Sequence, residues 1–337
     1  MPTPPSHFDQ ALSVMTAAVD LAQVGSTPYS DAVEFACRQL VGFNLGESPD
    51  SQPAEQIHDL FRERNLPLFE CASTYQSLIA RAEQAGKTTR RKKQGAYYTP
   101  LPLVDHIASR SVLKSLDEHE GELQTFRICD PAVGVGAFLF RSLHLIAERI
   151  DPKKDQRTID TVVHHCLFGV DIDPVAAMLC RAVLACETSA PKQTFEHLAS
   201  RIKVGNSIVG ATPELIEAGI PPGAFVVKPG DDKHAVSRYK KRNTRERRAS
   251  AADHPHPDDP DPRLSADAWC AAFVWRMHKA DEAGDWDALT QKHLDTIRTD
   301  PSKLPGWMRR EIGRLAQEHG FFHWHLEFPG VITPPSG

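Results

Sequence analysis

Apolar residues along this chain recur at two different spacings, and the change from one to the other divides it. Up to about residue 89 they fall three and four positions apart within 8–24, 31–41 and 54–84, the repeat that gathers side chains on one face of a helix. From about 90 to 210 short continuous apolar runs replace that repeat, each followed by a helical pattern. The run 126–130, a second within 166–174 and a third from 202 to Asn206 predict three strands. From 211 to 320 the pattern is mainly helical again. Its most apolar helix is expected at 266–277, and a polar, disordered loop at about 228–264. Residues 321–337 read as a strand-like tail. Strands alternating with helices call for a parallel sheet covered on both faces. The expected fold class is therefore α/β: a partial doubly wound, Rossmann-like sheet over 90–210, with a helical N-terminal domain at 1–89 and a mainly helical insertion at 211–320.

The candidate chemistry sits where the predicted strands end. The first runs into Asp130, Pro131, Ala132, Val133, Gly134, Val135 and Gly136, and a helix opens at Ala137. Glycine at 134 and 136 removes the side chains that keep a ligand off the backbone, and the N–H groups of the helix start point toward it. A dinucleotide site wants a third glycine and an acid about 20 residues on, and the sequence has neither. Asp130 suits a cationic ammonium better than a phosphate. The second strand ends in Asp171, able to accept both hydroxyls of a ribose, followed by Ile172. The third ends in Asn206, whose amide can pair with an exocyclic amine. Upstream lies the run Tyr97, Tyr98, Thr99, Pro100.

Taken in this order, the four motifs resemble the S-adenosyl-L-methionine half of adenine-N6 DNA methyltransferases of restriction-modification and phage-defence systems. The resemblance covers roughly 90–210 and again 266–329. It implies that Tyr98, Thr99, Pro100, Asp130, Ala132, Gly134 and Gly136, with Pro131 and Phe138 beside them, hold the methionine end of the cofactor. It further implies that Asp171 holds the ribose, that Ile172 packs on the adenine ring and that Asn206 meets the adenine amine. Val133 and Val135 stand where relatives often carry Cys and Ser. Backbone groups do most of the work in such a turn, so that difference is expected to matter little.

The family's catalytic signature is Asn or Asp, Pro, Pro, then an aromatic residue that stacks on the flipped base. Three Pro-Pro pairs occur here, at Pro4-Pro5, Pro221-Pro222 and Pro334-Pro335, and no aromatic residue follows any of them. The segment 321–329 resembles the one that precedes the catalytic strand in such enzymes. The expectation is thus a chain that stops before its catalytic residues, inactive alone and completed by a second polypeptide. Two other readings stand beside it: a non-catalytic cofactor- or DNA-binding subunit of a defence complex, and a methyltransferase acting on RNA or protein.

The net charge of −5 argues against DNA binding by the whole surface. Two basic runs, 87–93 with Arg90, Arg91, Lys92 and Lys93, and 228–248, are local exceptions that suit phosphate, although a solvated loop is the plainer reading of the second. The seven cysteines show no Cys-x-x-Cys spacing and read as buried reduced thiols. His323, His325 and Glu327 would share one face of a strand, but the resemblance makes this an ordinary segment and no metal is expected. Neither a signal peptide nor an apolar run of about 18 residues occurs, so a cytoplasmic location is expected.

Overall fold

The computed structural model describes residues 7–23, 27–84, 99–153, 155–250, 259–278 and 287–331. Tyr98 and the basic residues Arg90, Arg91, Lys92 and Lys93 lie outside them. The chain divides into two compact units, Met1–Val204 and Gly205–Gly337.

The first unit begins with helices α1 (His7–Ala22), α2 (Tyr29–Asn44), α3 (Gln52–Arg64), α4 (Leu68–Ser73) and α5 (Tyr75–Gln84). The single long repeat expected over 54–84 is three helices. Asn65 adopts a left-handed conformation (φ 44°) that ends α3, Pro67 precedes α4, and Thr74 separates α4 from α5. Then follow α6 (Leu101–Asp117), β1 (Ile128–Asp130), α7 (Ala137–Ile150), α8 (Gln156–Thr161), a π-helical turn at Val162–Cys166, β2 (Leu167–Asp171), α9 (Pro174–Cys186), α10 (Pro191–His197) and β3 (Ile202–Val204).

The sheet is parallel in the order β1-β2-β3, with Asp130 opposite Gly169 and Asp171 opposite Val204. β2 lies in the middle and reads Leu-Phe-Gly-Val because both of its faces are covered, as parallel strands require. Gly169 is needed there. A Cβ at this position would lie 2.9 Å from the Val133 side chain and 3.2 Å from Ile202. One core forms from α6, α7, β2 and α9, with Leu139, Leu143, Ile146, Leu167 and Leu184 fully buried. A second core joins α1 to α5 with the other side of α9, through Met15, Leu40, Ile57, Leu78, Leu179 and Val183. The N-terminal helices therefore share a core with the sheet's own helix α9 and do not stand as a separate domain.

The second unit holds α11 (Pro213–Glu217), α12 (Lys233–Ser250), α13 (Pro262–Ala271), α14 (Gln291–Thr299), α15 (Gly306–His319) and α16 (Trp324–Glu327). They pack around Trp275, Leu289, Leu294, Met308 and Ile312. The helix expected at 266–277 starts earlier and stops at Ala271. Two expectations need larger corrections. The loop expected at about 228–264 contains α12, an 18-residue helix in which Ala235, Val236, Tyr239 and Asn243 form a narrow buried stripe. One of its charges is satisfied in place. Arg242 bonds Glu246 at 2.7 Å and both carboxylate oxygens of Asp287 at 2.8 and 2.9 Å, and buried Asn243 pairs with the backbone of Ile220 and Gln291. The strand-like tail contributes one bridge, Asn206 to Phe321, and then turns into α16. His323, His325 and Glu327 consequently do not share a strand face. His323 accepts a bond from Ala211 N on Nδ1 at 3.0 Å and meets Asp267 Oδ1 through Nε2 at 2.9 Å, so both ring nitrogens are occupied.

Candidate functional site

The carboxyl ends of β1 and β2 lie next to each other, and the turns that leave them are stitched together. Val133 N donates to Val170 O at 2.9 Å and Gly136 N to Val133 O at 2.9 Å, which folds residues 131–136 back over β2. Val133 and Val135 anchor this turn by being buried. Gly134 and Gly136 have φ of 56° and 93°, the left-handed region where a side chain costs roughly 1–2 kcal/mol. Gly136 has a second reason to be glycine. A Cβ there would stand 2.7 Å from Cys180 Sγ, on α9.

Asp171 is held at the centre of this arrangement. Its Oδ2 accepts Gly134 N–H at 2.7 Å and its Oδ1 accepts Asp173 N–H at 2.8 Å, so one carboxylate reaches from β2 to the glycine turn of β1. Burial pushes its carboxyl above the ordinary range, opposed by those two N–H groups, and the neighbouring Asp173 adds to the rise. Asp130 accepts Ala132 N–H at 3.0 Å. Burial raises its carboxyl too, against the pull of the Ala132 N–H and with help from the charge on Asp171. Among the described residues neither acid forms an ion pair. Two acids raised by burial, close enough to repel and without a basic partner, make a site that a cation stabilises.

The remaining expected residues fall as follows. Pro131 and Ala132 are exposed at the rim of the turn, and Phe138 and Ile172 are half-buried. Thr99 and Pro100 lead directly into α6, where the Pro100 carbonyl accepts from Leu103 and Val104. Tyr98 lies outside the described residues. Asn206 belongs to the second unit, where its N–H donates to Gly320 O at 2.6 Å and its side-chain oxygen accepts Ile208 N–H at 3.3 Å.

One residue beside the site escaped the sequence reading. Asp173 is 3% exposed. It caps α9 by accepting Val175 N–H at 3.0 Å, and its other oxygen accepts the Tyr75 hydroxyl at 2.7 Å. The signal was available in the sequence, because Asp followed by Pro at the start of an apolar helix is an N-cap pattern. The link to Tyr75 was not, since it spans 98 residues.

Among the described residues no group of three metal-binding side chains occurs and no helix is long and apolar enough to cross a membrane. No curated protein and no solved structure matches the chain. Residues 75–201, the stretch that carries the Tyr75–Asp173 link, the glycine turn and both acidic strand ends, match the family model described as N-6 DNA methylase.

Proposed function

We propose that this chain is the S-adenosyl-L-methionine-binding portion of a site-specific DNA adenine-N6 methyltransferase of a restriction-modification or phage-defence system. The observation that carries the proposal is the Asp171 carboxylate clamped to Gly134 N–H, with Asp130 beside it and no basic side chain paired to either among the described residues. The cofactor fits what is there. Its cationic methionine end meets Asp130 and the open glycine turn, its ribose hydroxyls meet Asp171, and Ile172 supplies an apolar surface for the ring. Asn206 is assigned to the adenine amine, Thr99 and Pro100 to the methionine side, and Tyr98 with them. When bound, the cofactor supplies an electrophilic methyl group. The chain's own part is to hold that group still and to keep negative charge near the sulfonium.

Aligning the acceptor is a separate task. The Asn-Pro-Pro-aromatic clamp does not occur in these 337 residues, so in this proposal the target amine is positioned by polypeptide outside them. β1 is where it joins: its second edge carries no partner strand among the described residues, and unpaired strand edges recruit another strand. Arg90, Arg91, Lys92 and Lys93 are assigned to DNA phosphates. Neutralising them is expected to flatten the salt dependence of DNA binding by up to about 0.9 log units per lost contact.

The test is transfer of a tritiated methyl group to unmodified genomic DNA. The chain alone is expected to give no turnover, because misplacing the reacting atoms by even 1 Å costs roughly a hundredfold. Adding a polypeptide with the catalytic motif is expected to restore it. Turnover by the chain alone would overturn the assignment of acceptor alignment to another segment.

A further inference from the structure

A cavity of about 470 Å³ opens in the first unit where α2 and α3 meet α9, and none of its polar side chains belongs to the proposed cofactor site. Arg181 of α9 faces it, half-buried. The guanidinium lies over the Phe195 ring at 5.3 Å, its Nε is buried without a hydrogen-bond partner, and it has no carboxylate within ion-pair distance among the described residues. An anion entering the cavity would supply the half-buried guanidinium with the charged partner it lacks. His58, 3% exposed, closes one wall with its Nε2 sealed from solvent, so it shapes the cavity and offers no acceptor to a ligand. Glu47 and Asp50 line the same mouth and are acceptors. Met178 and the Phe195 ring supply apolar surface.

The cavity thus asks for one anionic group at Arg181, hydrogen-bond donors at Glu47 and Asp50, and an apolar, flat body between. Inorganic phosphate is far too small for that volume, and a plain aromatic acid brings no donors. We propose that this cavity binds a nucleoside monophosphate, with its phosphate on Arg181, its ribose hydroxyls donating to the acidic rim, and its base against Met178 and Phe195.

The probe is adenosine 5′-monophosphate, titrated by calorimetry into the whole chain, with inorganic phosphate and adenosine in parallel. The expected result is binding that exceeds both, falls about tenfold or more in Arg181→Gln, and is unaffected by saturating S-adenosyl-L-methionine. Glu47→Ala, at an exposed position where folding is not at risk, is expected to weaken the nucleotide and leave inorganic phosphate unchanged. Three outcomes would overturn the proposal. They are no binding of the nucleotide by folded protein, equal binding by both variants, or complete displacement by S-adenosyl-L-methionine, which would place the nucleotide in the cofactor site. Failure here leaves cofactor binding at Asp171 untouched, since that is read separately.

Discussion

The ends of β1 and β2 solve one problem in opposite ways. Each strand ends in an acid, bends sharply and enters a helix whose first N–H groups lack partners. After β2 the chain closes that helix start with its own side chain: Asp173 caps α9, Tyr75 takes the second oxygen, and Pro174 occupies the first turn. After β1 the helix start stays uncapped by any side chain, because the capping position is Gly136. The difference separates structure from function. A sealed helix start is a stability device, whereas in the proposed function the open one, with glycine at positive φ and two raised acids beside it, takes the ligand. Substitutions should accordingly hurt folding at one end and binding at the other, with Gly136, wedged on Cys180, as the position where both meet.

The largest effect is expected at that meeting point. Gly136→Val adds left-handed strain of about 1–2 kcal/mol to overpacking of about 1–3 kcal/mol, and urea denaturation is expected to show a loss of roughly 2–5 kcal/mol. Wild-type stability in this variant would mean that α9 does not press on the turn. Next comes Asp173→Ala, which removes a cap worth about 0.5–2 kcal/mol and breaks the bond from the Tyr75 hydroxyl. A chemical melt should show a larger loss than for Tyr75→Phe, which is expected to cost about 1 kcal/mol. Equal losses would mean that the cap contributes nothing.

The smallest effect concerns pH. Asp130 and Asp171 both have carboxyls raised above the ordinary value of 3.8 by burial. Between that value and the raised one, the folded chain keeps protons that the unfolded chain has released. Stability must therefore fall as pH rises through that window. Asp130→Asn should flatten the fall in denaturation measured from acidic to neutral pH. A steeper fall in the variant would contradict the burial of this acid.

What could be read from the sequence follows the same division. The glycine turn, both acidic strand ends and the three strands were legible because each is written in a short run of adjacent residues. α12 was not. Its hydropathy is dominated by charge, and it is held by Asp287, Ile220 and Gln291 from 20 or more residues away. The tail failed for a related reason. His323, His325 and Glu327 were expected to share one face of a strand, but His323 bonds Ala211 and Asp267, and a short helix starts at Trp324. In the site itself, Asp171 was read as an acceptor for the hydroxyls of a ribose. The structure adds that the same carboxylate first organises the β1 turn through Gly134, a partner 37 residues earlier.

The central claim is that the open end at β1 and the Asp171 carboxylate form a cofactor site. It is tested most directly by calorimetric titration of S-adenosyl-L-methionine into the folded chain and into Asp171→Asn. The account predicts saturable binding by the chain, weakened at least about tenfold in the variant, as loss of a charge-assisted bond of about 1.5–3 kcal/mol requires. Affinity should also fall at a higher pH than an ordinary carboxylate would give as the solution is acidified, because Asp171 takes up its proton early. Equal binding by the two proteins, or none by folded chain at high cofactor concentration, would contradict it.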